Sequence, residues 1–338
     1  MKKMMFLLSI AAAALTAWSC TKENNVRPVS KGTPITVEVG FPEFNGDEND
    51  PDSKMSSNGI GTDGKYKFKF DAGDSFHVFS FTGYTDQTAF TDWGVFTTEA
   101  GGAWARFSGY VPDDYSATTH GGTFMVLYHE INKDNIELTW NNRYEYRFNI
   151  PDHQDGTGLK YALFGSPASG GSAPSFTPAS EMASGKPRLG LQFRCYTSLC
   201  LLNLTGGDVR TIKITVAHKK NNNYNLVSNG AAKDIVYNCS GNALSGGGSK
   251  TLTINNNDQV LSGDIFFVTR QTNGSATNGY AYLTFEFINS EGKTCTKVVN
   301  LATGVDAAAG TATTYKNLSQ YNMISNFGSV DLTSATFE

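Results

Sequence analysis

The sequence predicts an all-β protein, and three observations carry that expectation. Of 338 residues, 22 are Phe, 15 Tyr and 35 Gly, with Thr- and Val-rich runs and few Leu-Glu-Lys blocks, a composition that suits strands and turns. Apolar residues recur with period two, most cleanly at Ile35, Val37, Val39 and Phe41 with Thr36, Glu38 and Gly40 between them. Short runs of this kind return at regular spacing, separated by Gly, Asp, Asn or Pro clusters, and no helix-period segment exceeds a turn or two. Strands so spaced build a sandwich or barrel.

In chain order, the first segment speaks of location. Lys2 and Lys3 precede an apolar stretch from Met4 to Trp18, and Ala17-Trp18-Ser19-Cys20 closes it with small residues before a cysteine. The apolar run is shorter than the roughly 20 residues a spanning helix needs, so the pattern predicts a removable lipoprotein signal at 1–19 with lipidation at Cys20. Acyl chains on that cysteine, at about 0.8 kcal/mol per buried CH2, tether a water-soluble protein to a membrane. The alternative is an ordinary secretory signal with an incidental cysteine. Residues 20–33 are mostly polar and charged, as expected of a lipidated tether.

The strand at Ile35 to Phe41 follows, then Asn45 to Gly64, rich in Asp, Asn, Ser and Gly with almost nothing to bury, which predicts a long exposed loop. Tyr66, Phe68 and Phe70, the turn Gly73-Asp74 and the run Phe76 to Phe81 read as a hairpin. Strands are expected at Gly94 to Thr97, Ala103 to Tyr110, Gly122 to His129, Ile136 to Thr139 and Tyr144 to Ile150. Gly165 to Pro187 is Gly, Ser, Ala and Pro almost throughout, a linker or a long loop. Beyond it the rhythm resumes at Leu189 to Phe193, Leu199 to Leu204, Val209 to Val216, Lys233 to Tyr237, Thr251 to Ile254, Ile265 to Thr269, Tyr280 to Ile288 and Thr294 to Asn300. The expected organisation is therefore two β-rich halves, 34–187 and 188–338.

Charge and chemistry narrow the function. A net charge of -4 with scattered Lys and Arg offers no basic stripe for phosphates, so nucleic acid is not an expected partner. Gly73-Asp74-Ser75 resembles the nucleophile block of SGNH hydrolases, but the Asp-x-x-His at Asp74 and His77 overlaps the serine itself, and no late Asp-x-x-His follows. It reads as a turn. His77, His120, His129, His153 and His218 show no carboxylate or cysteine at recognisable spacing, so no catalytic residue is assigned. Asp47, Glu48, Asp50 and Asp52 lack the spacing of a cation loop and read as a solvated acidic stretch. Cys195 and Cys200 are an odd number apart in an apparent strand and point to opposite faces; no metal and no cofactor are assigned. With Cys239 and Cys295 they form either two disulfides or buried thiols. Trp93, Trp104 and Trp140 are core residues or stacking platforms for sugars.

The order of these features resembles the fimbrillin family of Bacteroidetes surface lipoproteins, the subunits of their pili. The matching pieces are Cys20-Thr-Lys-Glu, Ile35-Thr-Val-Glu-Val39, a loop holding Lys54, Phe70-Asp-Ala-Gly-Asp-Ser-Phe-His-Val-Phe79, Ala105-Arg-Phe-Ser-Gly109 and Phe124-Met-Val-Leu-Tyr128. Ile150-Pro-Asp-His-Gln154 and Gly190-Leu-Gln-Phe193 leading into Leu199 to Thr205 complete the order. The resemblance implies two tandem transthyretin-like β-sandwich domains, outer-membrane lipid anchoring of a precursor, proteolytic loss of the first strand and polymerisation by strand exchange. On this chain it implies a removable strand carrying Ile35, Val37, Val39 and Phe41 and cleavage at Lys54, since Arg27 precedes the strand and is followed by Pro28. The expected donor is the C-terminal segment, where Val330 and Leu332 share one phase and Ala335 and Phe337 the other. The expected function is a non-enzymatic fimbrial subunit or adhesin, with other pilus subunits as partners and a host or bacterial surface ligand. The alternative is a monomeric surface lipoprotein that binds glycans or host ligands and keeps its first strand.

Overall fold

A computed structural model describes residues 32–40, 44–45, 57–60, 65–81, 90–113, 115, 123–128, 136–140, 144–158, 161–166, 175–191, 193–218, 225–238, 243–270, 281–300, 302–303, 314–315 and 325–338. In chain order the strands are β1 (Gly32–Gly40), β2 (Phe44–Asn45), β3 (Ser57–Ile60), β4 (Lys65–Phe68), β5 (Ser75–Phe81), β6 (Phe90–Thr98), β7 (Trp104–Pro112), β8 (Thr123–Tyr128), β9 (Ile136–Trp140), β10 (Tyr144–Phe148), β11 (His153–Gln154), β12 (Phe164–Ser166) and β13 (Ser175–Thr177). They continue as β14 (Arg188–Gly190), β15 (Arg194–Cys195), β16 (Ser198–Thr205), β17 (Val209–His218), β18 (Ile235–Asn238), β19 (Ala243–Gly246), β20 (Thr251–Asn255), β21 (Gly263–Thr269), β22 (Ala281–Asn289), β23 (Thr294–Asn300), β24 (Ala302–Thr303), β25 (Thr314–Tyr315) and β26 (Ser325–Asp331). Among the described residues helical geometry is confined to a 3-10 turn at Ala179–Glu181 and to Tyr161, whose N–H donates to Gly158 O at 3.0 Å. The chain is all-β.

The largest sheet has seven strands in the order β1-β7-β6-β5-β8-β12-β15, and a five-stranded sheet runs β11-β20-β17-β22-β23. Alternation explains why these segments are strands: along β7 every second residue, Ala105, Phe107, Gly109 and Val111, faces inward, and along β20 Leu252 and Ile254 do the same. Under the seven-stranded sheet the core is aromatic. Phe70 meets Phe107 edge-on at 5.0 Å, Phe76 stacks on Phe96 at 5.3 Å, and Phe193 closes on Phe76 at 5.5 Å. The β5–β6 ladder shifts register between Val78 and Phe79, where β6 carries Trp93 as the extra residue, while β5 itself alternates regularly. Phe79 lies on the face opposite Phe76 and Val78, 6.0 Å from Tyr146 of β10, so β5 carries apolar side chains on both faces.

Among the described residues strand pairing crosses the 187/188 boundary at four places. β10 pairs with β18, β11 with β20, β12 with β15 and β13 with β14, and one continuous cluster of buried side chains includes residues from both halves.

Two local expectations are corrected. The hairpin expected across Gly73-Asp74 does not form: β4 pairs with β2 and β3, whereas β5 pairs with β6 and β8. Phe70 exchanges backbone hydrogen bonds with Gly102 in both directions, at 2.8 and 2.9 Å, so the chain before the turn lies across the end of the β6–β7 hairpin. The turn itself is real, closed by Asp71 N–H donating to Asp74 Oδ2 and by Gly73 N–H donating to Thr98 O, with Gly73 at φ +92°. The expected loop 45–64 contains β3, paired with β4, while the acidic stretch 47–52 lies outside the described residues.

Candidate functional site

The nine residues of β1 pair without interruption against β7, from Gly32 opposite Pro112 to Gly40 opposite Trp104. β1 is the end strand of its sheet. Ile35, Val37 and Val39 point into the core and are at most 3% exposed, while Thr36 and Glu38 face outward. Opposite Ile35 stands Gly109, and a Cβ there would lie 2.6 Å from the Phe96 ring, so the missing side chain is what lets that aromatic lie flat beneath the pair. On the outer face the Thr36 and Ser108 hydroxyls approach at 3.5 Å, and the Trp104 ring lies against Gly40. Phe41, the fourth expected anchor, lies outside the described residues.

The energetics of this strand follow from its three anchors. At about 1.5–3 kcal/mol for each fully buried aliphatic side chain, they contribute roughly 5–9 kcal/mol before ordering costs. Withdrawing β1 uncovers that apolar row together with the N–H and C=O groups of β7 that β1 now satisfies, which is the geometry of an adhesive sheet edge.

The C-terminal segment is seated on its own chain. β26 runs parallel to β16 at the edge of the sheet β21-β16-β26, with Val330 and Leu332 buried. The phase break read between Leu332 and Ala335 is a turn, in which Ala335 N–H donates to Leu332 O at 3.1 Å. Beyond it Ala335 and Phe337 are partly buried against the core, and Glu338 exchanges backbone hydrogen bonds with Thr294 at 2.9 and 3.1 Å. A bulge interrupts β26: the pairing shifts register between Leu201 and Asn203, and Gly328 takes φ +75° with its N–H donated to Asn326 Oδ1. The tail therefore presents no uninterrupted apolar row.

Cys20 and Lys54 lie outside the described residues. Lys54 falls between β2 and β3, both of which pair with β4; β2 does so through only two residue pairs. Cys195, Cys200 and Cys295 are free thiols, the first two buried, and burial pushes the Cys195 thiol up to about 11. Cys239 lies outside the described residues. Of the tryptophans read as core or platform, Trp93 is buried, Trp104 is 68% exposed, and the side chain of Trp140 lies outside the description.

Sequence reasoning missed three groups. His77, read as having no carboxylate partner, places Nε2 2.5 Å from Asp92 Oδ1 and stacks on Phe79 at 4.2 Å; the two partners sit on neighbouring strands, where linear spacing is uninformative. His153 likewise meets Asp152 at 3.0 Å, as an adjacent pair on the surface. Gln154 is buried, accepts from Val268 N–H at 2.8 Å and donates to Val268 O at 2.8 Å, so a side-chain amide stands in for a strand residue along β21. Among the described residues no group of three His, Cys, Asp or Glu is placed to hold a metal ion, and no helix is long and apolar enough to cross a membrane.

No family model matches the chain, and no curated protein matches it. Among solved structures it is similar to a candidate cell adhesion protein from Bacteroides uniformis, with 11% identity and a TM-score of 0.40 over 90% of this chain and 96% of that one. It is also similar to a fimbrial protein from Bacteroides ovatus, with 13% identity and a TM-score of 0.32 over 85% of this chain and 50% of that one. A third likeness is to the tip fimbrial protein Mfa3 from Porphyromonas gingivalis with C-terminal truncation, at 8% identity and a TM-score of 0.33 over 84% of this chain and 87% of that one. At such TM-scores the likenesses carry no argument about function, which rests on the strands described above.

Proposed function

We propose that this chain is a structural subunit or adhesin of a cell-surface fimbria, exported as a precursor lipidated at Cys20 and joined to other subunits by strand complementation after β1 is lost. The observation that carries the reading is β1 itself, a nine-residue strand at the edge of its sheet whose only ladder partner among the described residues is β7 and whose buried row is Ile35, Val37 and Val39. The motif order read in the sequence supports it. Cleavage at Lys54 severs the chain beyond both β1 and β2, and the two pairs that hold β2 add little to retention. An incoming strand then has to offer apolar residues at three alternate positions along β7.

The C-terminal segment of a neighbour is the donor this reading names, and its cis seating sets a condition on it. Val330 and Leu332 must leave β16, and the Gly328 bulge must straighten, before they can lie along another subunit's β7. Retention of the tail in cis favours a terminal or accessory position in the fimbria, with a strand from a different subunit filling the groove. The second reading is a monomeric surface lipoprotein that binds glycans or host ligands, and the exposed Trp104 ring is the observation in its favour.

Terminal sequencing of protein sheared from cells separates these readings. The fimbrial one expects the surface form to begin near Met55 and to migrate as an oligomer. A surface form that begins at Cys20 and stays monomeric overturns it and leaves the glycan-binding reading.

A further inference from the structure

A pocket of about 500 Å3 lies where the end of β7 meets the segment from β13 to β14, with Thr33 of β1 on one wall. Its floor is aromatic: Tyr115, Phe124 and Phe176. Each ring packs edge-on against the buried Trp93 indole, with centroids 4.8, 5.1 and 5.2 Å away, and Trp93 is itself anchored by Nε1–H donating to Ser80 Oγ at 3.0 Å. Phe176 is fixed by its place in β13 opposite Leu189, and Tyr115 by its N–H donating to Pro112 O at 2.9 Å. The floor is therefore preorganised rather than a gap between mobile side chains.

The rim is acidic. Asp113 follows β7 directly, and Glu181 is presented by the 3-10 turn, whose Glu181 N–H donates to Pro178 O at 3.0 Å. Both carboxylates are exposed, and neither has a hydrogen-bonded or ion-paired side-chain partner among the described residues. Among the described residues no Lys, Arg or His lines the pocket, and three lining residues, Pro112, Pro178 and Pro187, have no N–H to give. A concavity of this size is suited to a ligand group. Its aromatic faces with two uncompensated carboxylates favour an organic cation and disfavour an anion.

We propose that this pocket binds a basic side chain, arginine ahead of lysine, presented on a peptide. The planar guanidinium stacks on the Tyr115 or Phe176 ring and donates to Asp113 and Glu181, whereas an ammonium makes point contacts only. Burial pushes the Tyr115 phenol up to about 12, so that ring remains neutral and does not itself donate charge to the site at physiological pH. The site is formed with β1 in place and needs no assembly, so its test is independent of the fimbrial reading.

The experiment is calorimetric titration of the intact chain with N-acetyl-arginine methylamide, the lysine analogue, and the neutral isostere N-acetyl-citrulline methylamide. A parallel titration follows Trp93 emission in a chain with Trp18, Trp104 and Trp140 replaced by phenylalanine. The expected result is saturable binding in the order arginine, lysine, citrulline, with about a tenfold gap between the first and last. Asp113→Asn with Glu181→Gln, both at exposed positions that leave the floor intact, removes that gap by weakening the arginine and lysine amides and leaving citrulline unchanged. Equal binding of arginine and citrulline overturns the proposal in favour of a neutral or sugar ligand. An unchanged arginine titration in the double variant, or no saturable heat with any of the three amides, overturns it outright.

Discussion

Val37→Ala tests whether β1 is a separable strand. Val37 is 3% exposed, sits opposite Phe107 and is the middle of the three anchors, so truncation acts where neither strand end can compensate. Removing two methyl groups at about 0.8 kcal/mol each, plus the cavity left beneath a sheet already packed to Phe96 and Phe76, costs about 2 kcal/mol. If β1 opens without the rest of the molecule, the whole cost falls on that local equilibrium, and the open population rises about 30-fold. Amide hydrogen exchange followed by mass spectrometry reads this directly: residues 32–40 and the facing 104–112 lose about 30-fold in protection, whereas β16 and β17 keep theirs. Glu38→Ala, on the outer face, leaves all of them unchanged. If Val37→Ala accelerates exchange equally in β1, β16 and β17, the strand opens only with global unfolding. The argument that it can be withdrawn from an otherwise folded acceptor then fails.

Gln154→Ala strands the N–H and C=O of Val268 on the outer edge of β21 and should cost about 2–3 kcal/mol, read as a lower midpoint in urea unfolding with an unchanged slope. Gly207→Ala places a Cβ 2.9 Å from that of Leu332 at a residue with φ +84°, so thermal unfolding should show a loss of at least about 1 kcal/mol and the tail should become the first proteolytic site. Cys195 has a folded pKa of about 11 against an ordinary 9.0, so only the unfolded chain ionises between them: its contribution is complete below pH 9 and is lost as pH rises to 11, by up to about 2–3 kcal/mol. Urea unfolding at pH 8, 9.5 and 11 in the native chain and in Cys195→Ala checks this, since the variant should lack that part of the alkaline decline and keep the fall that Tyr115 produces above pH 10.

Much of the strand plan is legible because periodicity reports which residues face the core. β1, β7, β16, β17, β20, β21, β22 and β23 all stand within a few residues of the runs expected at those places. Periodicity is silent on partners. The turn chemistry at Gly73-Asp74 is local and was readable, but whether 65–68 folds back on 75–81 is decided by Phe70 bonding to Gly102, thirty-two positions away. The same blindness hides the pairing of β10 with β18 and of β11 with β20, and it hides the meeting of His77 with Asp92, which depends on a bulged register. In the tail the change of phase after Leu332 was visible as an irregularity. Only the hydrogen bond from Ala335 to Leu332 identifies it as a corner that carries Phe337 toward Gly207.

The side-chain amide of Gln154 has a directional consequence. Together with Phe266 N–H donating to Gly156 O at 2.7 Å, it occupies ladder positions at Phe266 and Val268 on the flank of β21 that faces away from β16, which are then closed to another chain. If β1 is withdrawn as proposed, a molecule with one flank stoppered and another opened by the loss of a single strand is polar with respect to growth, and a lattice made from it by sheet extension inherits a head and a tail.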